Sequence, residues 1–146
     1  MSAIAVKKLD ERAVLPSYGS AYAAGADLYA LTDGEVSFRP GETKFVRTGI
    51  ALEIPAGFVG LVYARSSLAC KRGLAPANKV GVIDADYRGE IMVALHNHSG
   101  EVQSVASGER IAQLVVAPFL RAEFREADEL SETVRGEGGF GSTGKF

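Results

Sequence analysis

Apolar residues in this chain recur with a period of two far more often than three or four, and that alternation is the feature that most limits its fold. A two-residue repeat puts one set of side chains on one face of an extended strand, whereas an amphipathic helix needs the longer spacing. Strand-like runs occupy residues 3–9, 35–38, 43–46, 50–54, 57–63, 90–95, 102–105 and 111–119. Asp33-Gly34, Arg39-Pro40-Gly41, Pro55-Ala56-Gly57 and Ser99-Gly100 mark turns at a spacing that suits a sandwich, jelly roll or barrel. Only residues 66–71 invite a helix, a short one with Ser66 as its N-cap followed by Leu68 and Ala69. With 146 residues, 47% of them hydrophobic, the chain is expected to be one domain with a substantial core.

Charge and cysteine content exclude several function classes. A formal net charge of −2 argues against non-specific nucleic-acid binding, which needs a broad cationic surface to displace counterions. Any phosphate held here must be met by a few local arginines. Cys70 is the only cysteine, so no intrachain disulfide is possible, and nothing around it supports a thiol nucleophile. Ile4, Ala5 and Val6 precede Lys7 and Lys8, the reverse of a signal peptide's order, and no apolar run reaches membrane-spanning length. The expected location is cytoplasmic, with no membrane partner. His96 and His98 flank Asn97, but no further histidine exists to complete a zinc site.

The richest chemistry lies in residues 81–89, G-V-I-D-A-D-Y-R-G. Val80, Val82 and Ile83 read as a short strand and residues 91–95 as its return. The turn between them carries Asp84, Ala85, Asp86, Tyr87 and Arg88 where asparagine, glycine or proline would be usual. Asp84 directly follows Ile83 at the edge of buried surface, where desolvation penalises a carboxylate. It is either a site residue or a solvated turn aspartate. Tyr63-Ala64-Arg65-Ser66-Ser67-Leu68 puts an arginine and two hydroxyls at the expected helix start, where free N–H groups favour an anion. Asp27 stands alone in the apolar run A-G-A-D-L at 24–28, where a carboxylate needs an arginine or a metal-bound water as partner.

From Arg135 the composition changes abruptly. The stretch R-G-E-G-G-F-G-S-T-G-K-F holds five glycines, and Phe140 is its one large apolar residue before the terminus. Gly136, Gly138 and Gly141 match a dinucleotide-binding spacing, but no strand precedes them and no helix follows. Gly139, Gly144 and Lys145 match part of a phosphate loop, yet Phe146 replaces its hydroxyl residue. What remains is a set of exposed N–H groups, the hydroxyls of Ser142 and Thr143, and the charge of Arg135, all suited to phosphate oxygens. A loose glycine terminus is the alternative.

In chain order, AGADL (24–28), ARSSLA (64–69), GVIDADYRG (81–89), GERIAQLV (108–115) and RGEGGFGSTG (135–144) resemble the five motifs of the trimeric deoxyuridine triphosphatase (dUTPase) family. The resemblance spans nearly the whole chain. It implies an all-β, distorted jelly-roll β-barrel with one short helix, formed by residues 1–134, and a flexible glycine-rich arm of residues 135–146. It implies a homotrimer that hydrolyses dUTP to dUMP and pyrophosphate with Mg2+, limiting uracil incorporation into DNA and supplying dUMP for thymidylate synthesis. Three sites lie between subunits, each closed by a neighbour's arm.

Residue by residue, Asp84 matches the base that activates water at the α-phosphorus, and Asp27 the carboxylate that meets magnesium through water. Arg65, Ser66, Ser67 and Gln113 match phosphate contacts. Asn78 and the backbone of Gly81, Val82 and Ile83 match the uracil-reading hairpin. Tyr87 matches the ring packed on deoxyribose, and Met92 lines the same pocket. Arg135, Ser142 and Thr143 match γ-phosphate contacts, Phe140 the ring stacked on uracil, and Gly141 a further substrate-binding position. Ser67 stands where many members carry glycine. A deoxycytidine triphosphate deaminase shares the implied fold but needs a glutamate to activate water at the base, where this segment offers Asp84, Asp86 and Tyr87. A catalytically idle nucleotide sensor could lose Asp84 or Phe140 freely, and both are present.

Overall fold

The computed structural model describes residues 3–140. β1 (Ala5–Lys8) pairs with β6 (Ile50–Glu53) as one ribbon, and β4 (Val36–Phe38) pairs with β11 (Gln103–Val105) as another. A three-stranded sheet places β10 (Met92–Asn97) between β5 (Thr43–Arg47) and β8 (Leu74–Pro76). The largest sheet runs β2 (Ser17–Tyr18), β3 (Ala26–Tyr29), β12 (Arg110–Pro118), β7 (Phe58–Tyr63) and β9 (Gly81–Ile83), every pair antiparallel.

Alternation decides which way each strand faces. Along β10, Val93, Leu95 and Asn97 are buried while Met92 is exposed. Leu28, Phe38, Ile50, Leu74, Leu95 and Ile111 are wholly buried, and between them they come from all four sheets, so one core serves the molecule. Burying an aliphatic or aromatic side chain of this size contributes about 1.5 to 3 kcal/mol. The architecture is all-β and jelly-roll-like, as the alternation implied, but the sheets surround the core without closing into a hydrogen-bonded ring.

Two local expectations are corrected. Residues 81–83 and 91–95 do not form a hairpin: β9 pairs with β7 at one edge of the large sheet, while β10 pairs with β5 and β8. Residues 84–91 therefore carry the chain from one sheet to another, a role for which tight-turn residues are unnecessary. The helix α1 (Ser66–Arg72) has Arg65, not Ser66, at its N-cap, with no side-chain capping bond, because a guanidinium has no acceptor for the free N–H groups; it pairs with Asp27 instead. Gly73 ends the helix in the left-handed conformation at φ 69°, donating its N–H to the Ala69 carbonyl.

A bulge interrupts the pairing of β12 with β3. Arg110 pairs with Tyr29 and Ala112 with Leu28, leaving Ile111 as the extra residue. Ile111 and Ala112, though adjacent, are both buried, and Arg110 is turned onto the face shared by Asp27 and Gln113. Strict alternation would put residues 110 and 113 on opposite faces.

At the end of β10 the buried Asn97 amide is fully used. It donates to the carbonyls of Phe38 (2.9 Å) and Glu101 (2.7 Å) and accepts from the Ser99 backbone N–H and hydroxyl. The rings of His96 and His98 meet edge to face at 4.4 Å. Lost hydration, then Lys79 and His96, hold the His98 imidazole below its ordinary 6.5. The folded chain thus binds that proton less readily than the unfolded chain, so this contribution to stability is intact above pH 6.5 and is lost as the pH falls below it. His98→Asn should show a smaller drop in melting temperature than the parent between neutral and mildly acidic buffer. An identical drop would remove His98 as the source.

No helix among the described residues is long and apolar enough to cross a membrane. Beyond Pro118, residues 119–140 form neither strand nor helix, and Phe119, Leu120, Phe124, Leu130 and Val134 are exposed.

Candidate active site

Among the described residues β9 has a neighbour on one side only, so its outer edge offers backbone N–H and C=O groups that no described strand takes. A cleft of about 230 Å³ opens along that edge where the two main sheets diverge, and Asn78, Gly81, Val82, Ile83, Tyr87 and Met92 help to line it. Six of the residues expected to hold the base and its sugar are thus gathered in one place. The turn before β9 is tight: the Lys79 N–H bonds the Pro76 carbonyl, the Val80 N–H bonds the Asn78 carbonyl, and Lys79 has φ 66°. Gly81 leaves room for the Asn78 amide, whose nitrogen would stand only 3.3 Å from a Cβ there. Free peptide groups beside apolar walls suit a flat heterocycle whose edge alternates donors and acceptors.

A second cleft lies on the face of the large sheet. Ser17, Asp27, Gln113 and Tyr63 form one cross-strand row over β2, β3, β12 and β7. Asp27 is largely buried, and its two oxygens take Arg65 Nε at 2.7 Å and Arg110 Nη1 at 3.2 Å. The Gln113 amide donates to the Ala64 carbonyl at 2.8 Å, and Gly25 is small because any Cβ there would overlap the Gln113 side chain. Gly25, Asp27, Arg65, Ser66, Arg110 and Gln113 line this cleft of about 230 Å³. One carboxylate against two guanidinium groups leaves a local positive charge in a chain whose net charge is −2. Held in fixed positions, such forks suit phosphate oxygens. Ser67 borders an adjoining cleft with Arg65 and Arg110, and Arg65 Nη1 reaches its hydroxyl at 3.3 Å.

Other expected residues stand apart. Asp84 follows β9 and is exposed rather than set against buried surface, and it lines neither cleft; its carbonyl accepts the Tyr87 N–H at 3.1 Å. Arg135 bonds the Gly138 carbonyl within its own segment at 2.8 Å, and Phe140 is fully exposed. Gly141, Ser142 and Thr143 lie outside the described residues. Arg110 was not anticipated, since only the bulge brings it beside Gln113.

A cleft on a free strand edge and an arginine-lined cradle, on an all-β architecture, are features that suit a nucleotide-binding protein. The dUTPase family model matches residues 11–144, and the chain belongs to that family. It is 53% identical to the deoxyuridine 5'-triphosphate nucleotidohydrolase of Syntrophotalea carbinolica, over 97% of this chain and 96% of that one. With the corresponding protein of Nautilia profundicola the identity is 50%, covering 96% and 97%. Among solved structures it is similar to the Staphylococcus bacteriophage 80alpha dUTPase with dUPNHPP, with a TM-score of 0.91 and 29% identity over 99% of each chain.

Proposed function

We propose that the two clefts are the base and phosphate halves of a site for dUTP, which this enzyme hydrolyses to dUMP and pyrophosphate. The observation that carries the reading is the pairing of an open β9 edge with arginines fixed on Asp27, in a chain of the dUTPase family. Asn78 and the peptide groups of residues 81–83 read uracil, with Met92 on the same wall and Tyr87 against the deoxyribose. Arg65, Ser66, Ser67, Gln113 and Arg110 hold phosphate oxygens.

Asp84 takes a proton from water as the water oxygen bonds to the α-phosphorus. The bond from that phosphorus to the bridging oxygen breaks, and pyrophosphate leaves with the electron pair. Arg135, Ser142 and Thr143 meet the γ-phosphate, Phe140 stacks on the base, and Gly141 is a further substrate-binding position. The residues present fit a Mg2+ ion held chiefly by the triphosphate. Asp27 is a hard oxygen donor whose two ion pairs leave lone pairs for a metal-bound water but no cage of its own. When bound, the ion neutralises charge on the phosphate oxygens.

The two clefts share no lining residue and Asp84 lines neither, which supports a homotrimer whose sites are shared. The exposed apolar side chains of residues 119–134 also need cover, and a groove lined by Ile4, Val6, Leu15, Tyr18, Leu114 and Val116 is open to a neighbour's segment. Residues 1–134 are read as the domain and 135–146 as its capping arm. A nucleotide substrate and an exposed free Cys70 suit the reducing cytoplasm. The test is incubation with each deoxy- and ribonucleoside triphosphate plus magnesium while pyrophosphate is followed. Release should be strong from dUTP alone; comparable release from dCTP or UTP would overturn the substrate.

A further inference from the structure

Tyr87 is not fixed by the core. Its side chain is 44% exposed on the segment between β9 and β10, so a ring that selects a sugar must be held by its immediate surroundings. Two contacts do this. The hydroxyl donates to the Glu90 carbonyl at 3.0 Å. The ring occupies the space a side chain at residue 89 would need: a Cβ on Gly89 would overlap the tyrosine hydroxyl and stand 2.9 Å from Cε2. Gly89 is not among the positive-φ glycines, so its backbone admits alanine, and the three atoms an added Cβ would meet first all belong to Tyr87.

Glu90 is itself anchored. Both of its carboxylate oxygens accept from Arg47 Nε at 3.1 Å, and one also accepts the Gly49 N–H at 2.8 Å, tying the segment to β5 and the turn into β6. We propose that Gly89 and Glu90 are positioning residues for sugar selection: Gly89 vacates the volume in which the Tyr87 ring rests, and the anchored Glu90 fixes its hydroxyl end. The inference rests on reading Tyr87 as the surface that meets deoxyribose. There a 2′-hydroxyl is rejected by lack of room, and a displaced ring restores that room.

The test uses the full chain and reads the ratio of kcat/KM for UTP to that for dUTP in competition. A methyl group at residue 89 displaces the exposed ring rather than the fold, so Gly89→Ala should keep its melting temperature and raise the ratio about tenfold, the scale of a small steric change in a pocket. Tyr87→Ala should raise it at least as much. The double variant should go no further than Tyr87→Ala alone, because the methyl then has nothing to displace. Glu90→Ala should also raise the ratio, and Glu90→Gln should recover part of the loss, since its amide oxygen still accepts the Gly49 N–H.

No rise with Tyr87→Ala would overturn the reading of the ring and the inference with it. A rise with Tyr87→Ala but parental selectivity in Gly89→Ala would overturn the inference alone, as would independent, multiplying effects in the double variant. Should Gly89→Ala fail to fold, the double variant must fold if the ring is the obstacle; a double variant that also fails overturns the proposal.

Discussion

Asp84→Asn should fold and bind dUTP like the parent while its kcat falls by about 10²- to 10⁴-fold, the usual range for a positioned general base. The exchange is nearly isosteric. Asp84 is exposed, and the one turn bond it makes uses its backbone carbonyl, so nothing in the fold depends on the charge. An amide oxygen can still hold a water molecule but cannot take its proton. Single-turnover measurements separate this from an effect on binding, and a variant keeping more than about a tenth of parental kcat would end the assignment.

Cutting the chain before Arg135 should leave the melting temperature of the free protein unchanged and remove most of the activity. Among the described residues of this segment Arg135 bonds only Gly138 and Phe140 is fully exposed, so residues 135–140 add nothing to the core of their own chain. Phe140→Ala alone should cost about 1 to 3 kcal/mol, the range for stacking a base on an aromatic ring. Truncation should cost more, because it also removes the arginine, the hydroxyls and the exclusion of water on closure. Mixing truncated subunits with Asp84→Asn subunits should rebuild some complete sites in hybrid trimers. No recovery after confirmed subunit exchange would falsify the sharing of sites while leaving the hydrolase intact.

Much of the framework was legible because alternation reports directly on which face is buried. The runs at residues 43–46, 50–54, 57–63 and 111–119 lie close to β5, β6, β7 and β12. Asp27 could be singled out for the same reason, a carboxylate in an apolar run that must find a partner. Arg110 could not. Its alignment with Gln113 depends on a bulge that a strict two-residue period does not register, and no glycine or proline marks the position. The link from β9 to β10 was misjudged on similar grounds, since proximity in sequence suggested a hairpin where the strands belong to different sheets. Ser66 reads as a cap from local propensity, yet the helix boundary falls one residue earlier, on Arg65, whose side chain pairs with Asp27 on β3.

The open edge of β9 has a cost apart from catalysis. An unpaired strand border accepts another strand as readily as it accepts a base, which makes it a place where partly folded chains can adhere. Here the border is only three residues long and is followed at once by the charged segment Asp84, Asp86 and Arg88, features that blunt such adhesion. A nucleotide seated along β9 would shield the same peptide groups and favour the folded state by mass action. The substrate, on this reading, is also a guard for the strand that recognises it.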